Sequence, residues 1–575
     1  MPGINITTSV RTGPSNTTVR ESSQAFFAGF AERGPIDEAV KVTSMEEFER
    51  VFGGYVSTYY LHPTVEAFFE EGGSQCYIAR IGYTSSGTVS TKTLDRTATI
   101  NNVAPETPEA GSVEYTTTAA HGFAVGDSVT IDGLSPSGYN GTFTITSVGS
   151  TTTFAVTNAT TTSPTDEDGT ATAGSITLTA NGYGTWGNNL SVIVAAGTIA
   201  NSVNISLYYD DVLLMSTGNA TTVDQAIGKI NAHPIARHYV LASADGDTDN
   251  IPSTSAEANF TGGANGTDGG ATQVGTALDL FVSSYGTGAV SCPESASGGV
   301  FAGTTSAVGT VPQLLIDHAV ETNRVAILHT HSGVSIADAQ DIAEYTTANA
   351  TDALGLERTA MYYPWVYTPT TTAGVNRLIP PDGYVCGVRA RAHNTTGQHQ
   401  PGAGIYSTAR FVVGLEREVG KTSADALDAA SLNVLRIINN SIRVYGARCM
   451  SSDVDNWRYL NAIEVVNYVV IEAERALEDL LFSTIDGRNK VFADVQARLT
   501  GLLEPLRLQG ALYEAFDANG KRIDHGYTIK CDTSLNPVTN LKDGVVTARV
   551  GLRPAGVTDT IEVDIVKSNL TASVV

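Results

Sequence analysis

Residues 25 to 82 constrain the fold of this chain more than any other stretch, because three punctuated units follow one another there: AFFAGFAERGP, VTSMEEFERVFGG and EAFFEEGGSQCYIARIG. Ala25 to Phe30 is a run of small and aromatic residues ended by Arg33-Gly34-Pro35, the pattern of a buried strand followed by a turn. Ser44 stands three residues before Glu47, which fits a capping box and predicts a helix whose Met45, Phe48 and Phe52 share one face. Gly53-Gly54 stops it. A second helix, Thr64 to Glu71, presents Val65, Phe68 and Phe69 before Gly72-Gly73, and Cys76 to Ile81 returns as a strand. These units carry no catalytic pattern.

A chain of 575 residues is too long for one hydrophobic core, so several domains are expected. No window approaches 18 uninterrupted apolar residues, and the N-terminus lacks a basic stretch followed by an apolar core. The expectation is a protein with neither membrane span nor signal peptide, made and folded in a cytoplasm. Five cysteines, Cys76, Cys292, Cys386, Cys449 and Cys531, are far apart and form no CxxC, so they read as small core residues and not as a disulfide framework or zinc site. The net charge of −25 is uneven: residues 1 to 380 hold 13 Lys/Arg against 36 Asp/Glu, whereas residues 381 to 575 hold 21 against 23. An acidic part that stays solvated, joined to a balanced part that can pack on other surfaces, suits a protein with an outside and an inside in an assembly. It argues against nucleic acid as the main partner, since phosphate binding needs clustered Lys/Arg.

From about residue 91 to 175 the composition shifts to Thr, Ser, Gly and Ala. Alternating strands are predicted near Ser128 to Ile131, Gly141 to Val148 and Thr152 to Val156, and Phe123, Val129, Ile131, Tyr139, Phe143, Ile145 and Phe154 suffice for a modest core. This reads as a small all-β insert, immunoglobulin-like or a small barrel. Short strands continue through residue 265. The glycine-rich FTGGANGTDGG, residues 260 to 270, lacks the Gly-Lys-Ser/Thr of a phosphate loop and reads as a joining loop. Residues 275 to 380 alternate helix and strand around a strand at Arg324 to His329, predicting a covered α/β layer. PPDGYVCGVRARAHNTTGQHQPGAG shows no periodicity. Two helical windows follow: Ser423 to Ile442, with Leu427, Ala430, Val434, Ile438 and Ile442 on one face, and Asn456 to Leu481.

The order FxGxAxRGP, TSxxEFExxFGG, FFxxGGxxCYxxRxG resembles the N-terminal part of contractile tail sheath proteins of myophages and related injection systems. Further on, YGTWGNN resembles the family's GxWGN step, PPDGYVCGVRARAH its PPSGxVAGxxAR step, SIRVYGARCMSSD its xxxVWGARTLS step and LLEPLRLQGAL its LxxLxxxGAL step. Tyr445 and Cys449 depart from the usual Trp and Thr. The resemblance covers roughly two thirds of the chain, excluding 91 to 175. It implies an α/β (α+β) multidomain fold with a discontinuous sheath core domain built from N- and C-terminal segments, plus β-rich inserted domains. The expected division is an N-terminal arm at 1–20, core at 21–90, the all-β insert at 91–175, a β-rich domain at 176–265, an α/β domain at 266–380, an inner sheath domain at 381–553 and a C-terminal strand and arm at 554–575. It also implies a structural subunit and not an enzyme, without cofactor. Such a subunit polymerises helically, as stacked hexameric rings, around an inner tail tube between baseplate and tail terminator proteins. The sheath belongs to a virion assembled in the host cytoplasm, and its contraction drives the tube through the host envelope for genome delivery. No nucleotide site is evident, so the work of contraction would be stored in a metastable lattice. The alternative is a β-rich virion decoration or adhesin protein built around the insert.

At the ends, Ile4, Ile6, Thr8 and Val10 alternate with polar residues, as do Ile561, Val563 and Ile565. An isolated strand either pairs within its own subunit, frays, or completes another sheet. The resemblance implies exchange of these strands between neighbouring subunits. Arg436, Arg443, Arg448 and Arg458 read either as facing an inner tube or as ordinary solvated helix surface.

Other candidate chemistry is weak. His329 and His331 alternate along a strand end, so their rings point to opposite sides, poor geometry for one metal. Asp245, Asp247 and Asp249 start like a calcium loop, but Ala256 stands where the bidentate Glu belongs. Asp517-Ala518-Asn519-Gly520 reads as a hairpin turn. There is no GxSxG and no HExxH.

Overall fold

The computed structural model describes residues 21–83, 87–105, 111–246, 249–294, 300–370, 372, 374–485 and 488–559. The expected terminal strands at residues 4–10 and 561–565 lie outside the described residues. The chain is mixed α/β, and its described residues divide into two compact units, both discontinuous in sequence: one takes 21–27, Pro63–Tyr77 and those from Phe281 on, and the other takes Ala28–His62 and Ile78–Leu280.

The first unit is built on five parallel segments, residues 25–27 of strand Ala25–Gly29 and the strands Ala289–Ser291, Val325–His329, Thr359–Tyr363 and Leu432–Ile438, hydrogen-bonded in that order. Every residue of the Ala289–Ser291, Val325–His329 and Thr359–Tyr363 strands is buried, which is why they read as near-continuous apolar runs instead of alternating ones. Helices Thr310–Thr322 and Ile336–Asn349 connect consecutive strands, the second capped by the Ser335 hydroxyl, which accepts from Asp338 N.

Two elements correct the sequence expectation. The window Ser423 to Ile442 is not one helix: helix Lys421–Ala429 gives way to strand Leu432–Ile438, which turns at Asn439-Asn440 into the antiparallel strand Ser441–Val444. Both asparagines have positive φ, 51° and 60°, the backbone of a type I′ hairpin turn. A spacing of four is also a multiple of two, so Val434, Ile438 and Ile442 satisfy a strand as readily as a helix, and β-branched side chains favour the strand. The aperiodic PPDGYVCGVRARAH contains helix Asp382–Thr395, whose residues 382 to 390, 392 and 393 are all buried. With no solvent-facing stripe it shows no amphipathic period. Its glycines sit four apart against helix Leu61–Glu70: a Cβ on Gly383 would lie 2.1 Å from Thr64 O, and one on Gly387 2.8 Å from Phe68 O.

Near its C-terminal end this unit packs helices Leu460–Glu478 and Lys490–Leu508 against each other and against the two-stranded sheet Tyr527–Lys530 and Arg549–Leu552. The first of these helices starts four residues after the expected Asn456.

In the second unit, strands Thr91–Pro105, Ser112–Thr117, Thr153–Thr157, Gly141–Ser150, Ser128–Asp132 and Gly169–Ala180 pair in sequence around a ring, because Ser128–Asp132 pairs both Gly141–Ser150 and Gly169–Ala180. The result is a closed six-stranded barrel without free edges. Ile100, Val113, Tyr115, Val129, Ile131, Phe154 and Val156 fill it. The strand Gly169–Ala180 runs on to pair Val240–Ala244, and a second core lies under the sheet Val212–Ser216, Val203–Tyr209, Leu190–Ala196, Ser255–Asn259. In the same unit Arg33 is sandwiched against Tyr209 and Tyr239 at 4.3 and 4.6 Å, and it donates to the carbonyls that end helix Met45–Phe52, Glu49 O and Arg50 O.

Candidate functional site

The feature of the first unit best suited to joining other chains is the small sheet Tyr527–Lys530/Arg549–Leu552, registered from Tyr527 against Leu552 to Lys530 against Arg549. Tyr527, Ile529, Val550 and Leu552 pack one face onto Val465, Val469, Leu503 and Leu506 of the two long helices. Among the described residues neither strand has a second strand neighbour. Two strands alone are marginal in water, and here the helices hold them in place while neither outer row of N–H and C=O groups faces a β strand among the described residues. Ile4, Ile6, Thr8, Val10, Ile561, Val563 and Ile565 lie outside the described residues.

The four arginines are not on helices, contrary to the solvated-helix reading. Arg436 and Arg443 stand directly opposite each other across the Leu432–Ile438/Ser441–Val444 hairpin, so two like charges share one face. Arg436 donates through Nε to Val419 O at 3.2 Å and lies 5.5 Å over the Tyr445 ring, which is itself exposed. Arg458 is exposed beside Tyr459. Arg448 is set apart. It is buried, with Nε donating to Asp428 Oδ1 at 2.7 Å and Nη2 to Asp559 Oδ2 at 2.8 Å, so its charge is neutralised within the chain.

Buried ionic groups form a second set that reasoning from the sequence missed. The Glu71 carboxylate, fully buried, accepts the backbone N–H groups of Arg410, Phe411 and Val412, with Arg391 Nη1 3.5 Å away. On helix Asp382–Thr395, Asp382 meets His329 Nδ1 at 3.0 Å and accepts from Ser291 Oγ, while Arg389 and His393 both reach Glu464 on the neighbouring helix. Against burial, which favours its neutral form, Arg389 and His393 hold Glu464 below the usual carboxylate range. The available signal was charge inside an apolar run: YVCGVRARAH places Arg389 and His393 four apart on one helix face. Burial pushes the Cys292, Cys386 and Cys449 thiols well up, which keeps them protonated and inert.

The remaining candidates are local structure. His329 is buried on Asp382, whereas His331 is half-buried beside Ser332 O. Asp245 accepts from Thr177 Oγ1, and Asp247 lies outside the described residues. Asp517 caps a hairpin turn by accepting from Asn519 N and Lys521 N. Among the described residues no group of three or more His, Cys, Asp or Glu side chains is placed to hold a metal ion, and no helix is long and apolar enough to cross a membrane.

No protein-family model and no curated protein matches the chain. Solved structures do. The sheath tail protein from Listeria innocua is 12% identical, with a match covering 89% of each chain at a TM-score of 0.53. The sheath tail protein from Desulfitobacterium hafniense is 11% identical over 92% of this chain and 94% of that one, at 0.46. A chain of the anti-feeding prophage baseplate is 18% identical over 45% of this chain and 66% of that one, at 0.37. The Listeria match runs through both discontinuous units, and it shows that this chain has the fold of a sheath tail protein.

Proposed function

We propose that the chain is a structural subunit of a contractile tail sheath, polymerising helically around an inner tail tube and contracting to drive that tube through the host envelope for genome delivery. The observation that carries this reading is the shared fold over 89% of both this chain and the Listeria sheath tail protein. The open sheet Tyr527–Lys530/Arg549–Leu552 supplies a means of assembly. Terminal segments of neighbouring copies, Ile4 to Val10 and Ile561 to Ile565, would add to its two edges. Each added strand contributes four to six main-chain hydrogen bonds at about 0.5 to 1.5 kcal/mol apiece. That is several kcal/mol per arm, modest singly and decisive across a lattice in which every subunit is linked to several others.

In this reading copies stack as hexameric rings between a baseplate and a tail terminator, in a virion assembled in the host cytoplasm. The paired Arg436 and Arg443, together with Arg458, are the basic residues that would face the tube. The arms stay paired while the rigid bodies rotate and slide in contraction. Negative-stain electron microscopy of the purified chain, alone and co-expressed with the tail tube protein of its own system, tests the proposal. Hollow striated tubes or stacked rings are expected, and removal of residues 1 to 12 should abolish them while leaving a folded monomer. Discrete particles under both conditions would overturn the sheath reading; normal tubes without residues 1 to 12 would overturn the arm.

A further inference from the structure

His393 is completely buried between two groups that can only accept protons when the neighbouring carboxylate is ionised. Its Nδ1 lies 3.0 Å from the Ser22 carbonyl oxygen and its Nε2 lies 2.9 Å from Glu464 Oε2. A neutral imidazole has one N–H, and a peptide carbonyl has none to offer. Both contacts are hydrogen bonds only if the His393–Glu464 pair carries one additional proton, either as imidazolium and carboxylate or as imidazole and carboxylic acid. Ser22 belongs to the short turn Glu21–Ser23 with which the described chain begins, and two residues on, Gln24 is held by Tyr285 O and Thr287 O. The contact with His393 therefore holds the backbone of that turn against helix Asp382–Thr395.

We propose that the His393–Glu464 pair is a proton-operated latch on the Ser22 carbonyl, closed when the pair carries its extra proton and open when it does not. The direction follows from competition for the one remaining N–H. Glu464 is also bound by Arg389 through Nε and stays ionised once the proton is gone, so it is a stronger acceptor than a peptide carbonyl. The proton of neutral His393 therefore remains on Nε2, Nδ1 turns a lone pair towards Ser22 O, and that bond becomes a repulsion. The other titratable or charged groups around the pair are Arg389 on the same helix, Tyr362 on strand Thr359–Tyr363, and Cys386 and Cys449; burial keeps Tyr362 and both thiols neutral. Burial also pushes His393 below its ordinary range, with Glu464 partly offsetting it, so opening occurs as pH rises through the acid side of neutrality.

Amide exchange of the full chain, followed by mass spectrometry on peptides covering residues 21 to 30 from pH 5 to pH 8 and corrected for intrinsic rates, tests the latch. Protection should fall about tenfold towards pH 8, the size of one lost charge-assisted hydrogen bond. H393Q cannot titrate and should abolish the step. E464Q should abolish it in the closed sense, because the Gln amide donates to Nε2 and leaves Nδ1–H on Ser22 at every pH. An unchanged step in H393Q, or no step in the unaltered protein, would overturn the proposal. Should a variant fail to fold, ¹⁵N-histidine spectra of the unaltered chain decide: a histidine signal moving with the midpoint of the exchange step supports the latch, and its absence overturns it.

Discussion

The carboxylate of Glu71 accepts the backbone N–H of Val412 at 3.1 Å across 341 positions of chain, and the same oxygen accepts from Phe411 N at 2.8 Å. One buried side chain thus supplies acceptors to three successive N–H groups of an irregular segment that has no ladder of its own there. Glu71→Ala would leave those donors and Arg391 uncompensated, at a cost of about 3 to 5 kcal/mol. Glu71→Gln keeps one acceptor and should cost about half as much. Chemical denaturation of the full chain measures both, and a Glu71→Gln variant as stable as the unaltered protein would show that the charge does not matter.

Glycine placement gives a contrast inside one unit. Gly383 and Gly387 face the backbone of helix Leu61–Glu70, where an added methyl meets Thr64 O or Phe68 O well inside contact distance. Either change to Ala should destabilise by about 1 to 3 kcal/mol, Gly383 the more. Gly501, in the exposed face of helix Lys490–Leu508, has nothing within 4 Å of the added methyl. Gly501→Ala should stabilise by about 0.5 to 1 kcal/mol, read as a rise in melting temperature.

Arg448 and Arg458 separate an internal role from a surface one. Arg448→Ala leaves Asp428 and Asp559 without their shared guanidinium and should cost about 1 to 3 kcal/mol, discounted because both carboxylates are partly exposed. Arg458→Ala should stay within about 0.5 kcal/mol in the isolated chain. If tube assembly nevertheless weakens in Arg458→Ala while monomer stability does not move, the residue acts on a partner.

His318 makes the fold sensitive to acid. Its Nε2 accepts from buried Arg324 Nη1 at 3.1 Å, and burial together with that positive charge pushes the imidazole down to about 3. The unfolded chain binds the proton near pH 6.5 and the folded chain does not, so the unfolded state gains as pH falls between those values. The contribution approaches one proton, about 1.4 kcal/mol per pH unit. His318→Gln keeps an acceptor for Arg324 and should flatten the stability curve between pH 6.5 and pH 4 by up to that slope. An unchanged slope would mean that His318 is already charged in the fold.

What local sequence determined is clear at residues 25 to 82. The buried strand, the Ser44 cap accepting from Glu47 N at 3.2 Å, the stop at Gly53 with φ of 87° and the returning strand Cys76–Arg80 all follow from neighbours a few positions apart. Even there the capping carboxylate reaches Thr43 N, one residue earlier than the box pattern places it. The strands Ser128–Asp132 and Gly141–Ser150 were legible for the same reason, since alternation and turn residues are local. Their closure into a barrel was not, because it depends on Thr130, Ile131 and Asp132 meeting Thr172, Ala171 and Thr170 some 40 positions away. Tertiary structure decided three further things: that Val434 and Ile438 belong to a strand, that an aperiodic run is a wholly buried helix, and that Glu71, Arg389, His393 and Glu464 are internal anchors. Each depends on burial from every side. Burial removes the solvent face from which periodicity is read, and it turns a charged side chain that would mark a surface into the partner of backbone groups hundreds of residues distant.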